Sequence, residues 1–156
     1  MKTLISQNFL AISGRTLLAA VAALIISGCA VMLVGPYDEV TDKAINDLEI
    51  KTEQFIAKME NTRGDYEGNK PFYVDAKASV RTIRLRAELY PKNAGELKEL
   101  DLLDQNLDNL AKLHRAGALT GIAADGARTA LEANFKSLTQ IELAKKRSSG
   151  VSSTNG

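Results

Sequence analysis

The chain has 156 residues, 45% of them hydrophobic and 25% charged, with a formal net charge of +1. That length suits one hydrophobic core, and the near-zero charge supplies no basic surface with which to displace counterions from nucleic acid. A single cysteine and a single histidine exclude an internal disulfide and a Cys/His zinc module. Tryptophan is absent and aromatic residues make up 5%, while Leu and Ala are abundant, a balance that favours helices over a β-sandwich.

The first element is not part of that core. Residues 1–15 carry Lys2 and Arg15 and no acid, residues 16–26 are apolar or small, and the run ends in Ile26-Ser27-Gly28-Cys29. A basic start, an apolar middle and small residues before a cleavage point form the order of an export signal. The four-residue box resembles the lipobox of bacterial lipoprotein signal peptides, in which an aliphatic residue and two small ones precede an invariant cysteine.

The resemblance covers about the first thirty residues and implies cleavage before Cys29, a diacylglycerol on its sulfur and an N-acyl chain such as palmitate on its new amino group. Ala30 stands where many Gram-negative lipoproteins retained in the inner membrane have Asp, so in a Gram-negative source the resemblance implies the outer membrane, facing the periplasm. The same stretch also reads as one membrane span from Thr16 to Gly35, because apolar residues continue past the cysteine to Val34. Both readings place the remainder outside the cytoplasm.

The expected organisation is a signal peptide at 1–28, a lipidated tether at 29–36, a helical domain at 37–147 and a disordered tail at 148–156. The 128 residues from Cys29 onward carry a net side-chain charge of −1. A tether this short holds the domain within a few tens of ångströms of the bilayer, at about 3.3–3.6 Å per extended residue.

In the domain, Tyr37, Val40, Ala44, Leu48, Phe55 and Met59 recur at helical spacing and predict a first amphipathic helix. "NTRGDYEGNKP", residues 61–71, reads as a loop, with Pro71 in the first turn of a second helix. That helix carries Tyr73, Ala76, Val80, Ile83, Ala87 and Tyr90 and stops at Pro91. "PKNAGE" reads as a tight connection, with Asn93 and Glu96 forming a capping-box-like pair.

The third helix follows Leu97, Leu100, Leu103, Leu107, Leu110 and Leu113 to about Arg115. "AGALTGIAADG", residues 116–126, reads as an irregular connection, with Asp125 a cap or turn residue. A fourth helix starts near Ala127 with Leu131, Phe135, Leu138 and Ile141 on one stripe and Lys145, Lys146 and Arg147 in its last turn, where cations suit the helix dipole. Four single-striped helices bury their stripes only against one another, so the expected fold is an all-α antiparallel bundle.

Lys77, Arg81 and Arg84 lie one turn apart on the second helix, facing Asp108, Asp104 and Asp101 in the reverse order on the third. This is the relation of antiparallel helices folded about residues 92–93, and it predicts three interhelical ion pairs along a solvated seam. His114 is the candidate for acid–base work, but only Asp108, six residues back, stands near it, and a surface or interface histidine at a helix C-terminus is the plainer expectation. Arg63-Gly64-Asp65 resembles the tripeptide of integrin ligands, although Gly64 is accounted for by a turn. Phe72, Tyr73 and Tyr90 could line an aromatic pocket but at helical spacing read as core.

No nucleophile elbow, zincin, P-loop or dinucleotide-binding signature occurs. The expectation is therefore no enzyme, no catalytic residue, no metal and no cofactor beyond the acyl chains on Cys29. The protein reads as a membrane-anchored interaction or structural module at the cell envelope, partnered by the bilayer and an envelope protein and not by nucleic acid. The alternatives are a small-ligand-binding helical carrier and a single-pass membrane protein with an exported helical domain. Loops 61–71 and 116–126 are the expected recognition surfaces.

Overall fold

The computed structural model describes residues 34–152. The expected signal peptide, Cys29 and most of the tether therefore lie outside the described residues, as does 153–156 at the other end. Four helices make up the fold: α1 (Glu39–Thr62), α2 (Tyr66–Glu88), α3 (Ala94–Ala116) and α4 (Ile122–Ser152). No strand occurs among the described residues, and none of their helices is long and apolar enough to cross a membrane. The expected antiparallel all-α bundle is what forms. Each helix packs on two neighbours in a closed cycle, α1 on α2, α2 on α3, α3 on α4 and α4 on α1, with no diagonal packing.

The core is filled by one stripe from each helix: Ile45, Leu48, Ile56 and Met59 of α1, Ala76, Val80 and Ile83 of α2, Leu100, Leu103, Leu107 and Leu110 of α3, and Leu131, Phe135 and Leu138 of α4. Two residues expected on these stripes point outward, Val40 at 56% exposed and Leu113 at 42%. Their places in the helical repeat are taken by Thr41 and His114, both buried.

The connections are shorter than expected. Arg63 ends α1 in the left-handed conformation, φ 52°, with its N–H bonded to the Met59 carbonyl at 2.8 Å. Asp65 then caps α2 by accepting from the Gly68 N–H at 2.8 Å, and Tyr66 already has a buried seat. The loop expected over 61–71 thus shrinks to 63–65, and Pro71 lies inside α2, six residues in, not in its first turn. The helix loses one N–H there, facing Glu67, whose surroundings are exposed to water.

The second correction is at 116–126, where only 117–121 is non-helical. Leu119 is fully buried and pins the loop, Gly121 turns the chain at φ 56°, and α4 begins at Ile122 with Ala124 buried beneath it. Asp125 is therefore a first-turn acid of α4, suited to the helix dipole, and not a cap. At its other end α4 continues through Ser152, so the stretch 148–152, expected to be disordered, is helical. Lys145, Lys146 and Arg147 consequently stand a turn or more before the end of the helix.

Candidate functional site

At the end of the bundle that carries residues 34–38, α2 leads into α3 through Leu89-Tyr90-Pro91-Lys92. Asn93 holds the N-cap position of α3 but makes no side-chain cap bond. Its amide instead donates to the Ala87 carbonyl at 3.0 Å, closing the end of α2. Glu96 is not a capping residue either. It is 1% exposed and receives Lys145 Nζ, which also contacts Glu142 Oε1 at 2.7 Å.

Lys145 and Glu142 are themselves 1% exposed, so one cation and two carboxyl groups share a dry space between α3 and α4. Glu96 Oε1 and Glu142 Oε2 find no hydrogen-bond partner there, nor does the buried Asn93 Oδ1 nearby in sequence. Sequence reasoning missed this cluster, yet a signal was present: Glu96 lies four residues before Leu100, and Glu142 and Lys145 follow Leu138 by four and seven, so all three continue the buried stripes.

Burial pushes the Glu142 carboxyl up from its ordinary 4.5 to about 7, against the opposing pull of Lys145, and the charges of Glu96 and Asp42 push the same way. Between those two values the folded protein holds a proton on Glu142 that the unfolded chain has released. Stability is therefore full below about pH 4.5 as far as this group is concerned and falls as pH rises through about 7. Glu49, raised by burial and by Glu53 and Glu132, adds to the same trend. The expected result is a thermal midpoint lower at pH 8 than at pH 5, with most of the difference removed by Glu142→Gln; a midpoint independent of pH in both proteins contradicts it.

At the opposite end, His114 is buried in the last turn of α3, so of the surface and interface positions expected of it the structure shows the interface one. Its Nε2 lies 2.7 Å from the Gly64 carbonyl, which can only accept, so Nε2 carries a proton. Nδ1 lies 2.8 Å from the Tyr73 hydroxyl. With both nitrogens engaged, the imidazole ties the α1–α2 turn to α3. Burial raises the Tyr73 hydroxyl above its ordinary range, keeping it protonated. Phe55, stacked on Phe72 at 3.7 Å, Tyr66 and Tyr73 surround the ring, and Arg115 lies over Tyr66 at 4.2 Å. Tyr90 belongs to the other end of α2, so the three aromatics singled out in the sequence do not form one pocket.

The charged seam forms with one exchange. Arg84 pairs with Asp101, and Lys77 reaches both Asp108 at 2.7 Å and Asp104 at 3.1 Å, taking the partner expected for Arg81. A groove of about 570 Å³ runs beside it, lined by Lys77, Arg81, Arg84, Leu100, Asp101 and Asp104. Both signs of charge line this groove, and Lys77 and Arg84 are paired with its acids while Arg81 is not. In Arg63-Gly64-Asp65 the acid serves as the α2 cap through one carboxylate oxygen.

Among the described residues, no group of three or more His, Cys, Asp or Glu side chains is placed to hold a metal ion. Cys29, the expected site of lipid attachment, is outside the described residues. The fold and these clusters define a four-helix bundle tied at each end by a buried polar group. No family model, no curated protein and no solved structure matches the chain.

Proposed function

We propose that this protein is a bacterial lipoprotein, cleaved before Cys29 and acylated there, whose helical bundle serves as a non-enzymatic interaction or structural module at the cell envelope. The observation that carries this reading is the coincidence of Lys2 and Arg15, an uncharged run from residue 16, and Ile26-Ser27-Gly28-Cys29 within one segment. Each buried methylene of an acyl chain adds about 0.8 kcal/mol, and several chains together anchor durably where one holds only marginally. Confinement near a membrane raises the effective concentration of the bundle toward a partner in the same layer, so that weak contacts suffice. Ala30 favours the outer membrane, facing the periplasm, in a Gram-negative source.

Cys29→Ser is the test. The expected outcome is an uncleaved product without acyl mass, where the parent protein, extracted from membranes, has an intact mass that starts at Cys29 and includes the acyl chains. Equal masses and equal membrane fractionation for the two would remove the anchor and leave the uncut span from Thr16 to Gly35.

A second reading, a small-ligand carrier, draws on one feature. An open groove of about 360 Å³ between α1 and α2 is lined by Leu48, Phe55 and Phe72 and by two lysines, Lys51 and Lys58, against one acid, Asp75. Stabilisation of the bundle by an amphipathic anion, lost in Phe72→Ala, would favour the carrier over the interaction module.

A further inference from the structure

The path of residues 34–37 fixes which part of the bundle lies nearest the anchor. Gly35 is buried against the α2–α3 connection: a Cβ placed on it would fall 2.8 Å from the Pro91 carbonyl and 2.2 Å from Asn93 Oδ1. Glycine is required by that approach, which clamps the incoming chain beside Pro91. Tyr37 completes the seat, its N–H donating to Ser149 Oγ at 3.5 Å and its hydroxyl to Asp42 at 2.8 Å, with Lys146 over its ring at 5.3 Å.

Six residue steps separate Cys29 from Gly35, about 20 Å when fully extended. The α1–α2 and α3–α4 turns lie a further helix length away, about 35 Å for the 24 residues of α1. An acylated Cys29 can therefore bring the clamped end to the bilayer surface while an upright bundle keeps the other end clear of it.

The clamped end is suited to that surface. Leu89, the C-cap of α2, is 75% exposed, Leu85 in the last turn of α2 57% and Val40 in the first turn of α1 56%. Pro91 and Lys92 are exposed beside them, and Lys146 and Arg147 are exposed on α4. Of the acids at this end, Asp38 is paired with Arg86, Glu88 with Arg84 and Asp42 is bonded to Tyr37, leaving Glu39 as the exposed acid outside such pairs. Apolar tips ringed by lysine and arginine match the boundary between acyl chains and anionic headgroups.

Resting on the lipoprotein reading above, we infer that the α2–α3 turn, with Leu89, Pro91 and Lys92 at its centre and Leu85 of the last turn of α2 beside it, is a bilayer-contacting surface that holds the bundle end-on to anionic phospholipid. The far end, with Arg63, Glu67 and the 117–121 turn, is then the face presented away from the membrane to an envelope partner.

The absence of tryptophan makes the test direct. Leu89→Trp, Val74→Trp and Ile122→Trp each place one indole at an exposed position, on the clamped end, the flank and the far end. The full chain, extracted from membranes, is reconstituted into vesicles of phosphatidylethanolamine and phosphatidylglycerol with brominated acyl chains, and intact mass is recorded on the same samples. The expected result is that Leu89→Trp loses more than half its emission and shifts to the blue, while Val74→Trp and Ile122→Trp keep theirs. Acylated protein in which Leu89→Trp is unquenched, or in which Val74→Trp or Ile122→Trp is quenched instead, overturns the end-on surface and leaves the anchor standing. Protein without acyl mass overturns the anchor, and the end-on surface falls with it.

Discussion

Replacing Lys145 with methionine is expected to destabilise the bundle by about 3–5 kcal/mol, the usual cost of removing one partner from a buried ionic group. Lys145 is the cation between Glu96 and Glu142, and all three side chains are at most 2% exposed. Without it, two carboxyl groups face each other in a space that already leaves Glu96 Oε1 and Glu142 Oε2 without partners. Protonating both relieves the repulsion but still leaves their polar atoms unsatisfied. The loss is read as a lower urea midpoint of the full chain at unchanged slope.

The combined replacement Lys145→Met, Glu96→Leu and Glu142→Leu is expected to recover most of the stability, because an apolar set of similar volume carries no desolvation cost. A loss below about 1 kcal/mol for the single change would mean that water reaches the cluster and screens it as it does an exposed pair.

Phe135→Ala is expected to cost about 3–5 kcal/mol by a different route, the loss of buried apolar surface plus the cavity left behind. Phe135 is 0% exposed, with Leu131 and Leu138 on the same stripe of α4. The helices on either side cannot close the gap without breaking their own packing, so the cavity term persists. Leu113→Ala is the matched control: Leu113 is 42% exposed, and its loss is expected to stay within about 0.5 kcal/mol. Equal effects at the two positions would mean that the core stripe of α4 is turned away from where the structure puts it.

Residues 97–113 show how much of this was legible beforehand. Leu at three- and four-residue intervals identified a helix, and the opposed charges at 77 and 108 and at 84 and 101 identified its antiparallel partner. The leucines occur on two overlapping faces, however, and periodicity alone treats Leu97 and Leu113 as equal to Leu103. The rotation of the helix decides between them, and that depends on which face the other three helices cover. Once α3 is turned so that Leu100, Leu103, Leu107 and Leu110 face inward, Glu96 and His114 must go in with them. An acid three residues after Asn93 fits a capping box as well as it fits a buried pair, and only the presence of Lys145 across the interface separates the two.

The amino-acid sequence by itself determined the number of helices, their amphipathic character and antiparallel order, because these depend on spacing along one chain and on short connections. It also carries the signal-like segment ending at Cys29, which rests on local pattern alone. Tertiary structure alone decided that Glu96, Glu142, Lys145 and His114 are interior groups, that the turns shrink to 63–65 and 117–121, and that Gly35 is clamped at Pro91. The physical reason is that a buried polar residue needs a partner, and a partner 49 or 50 residues away has no local signature.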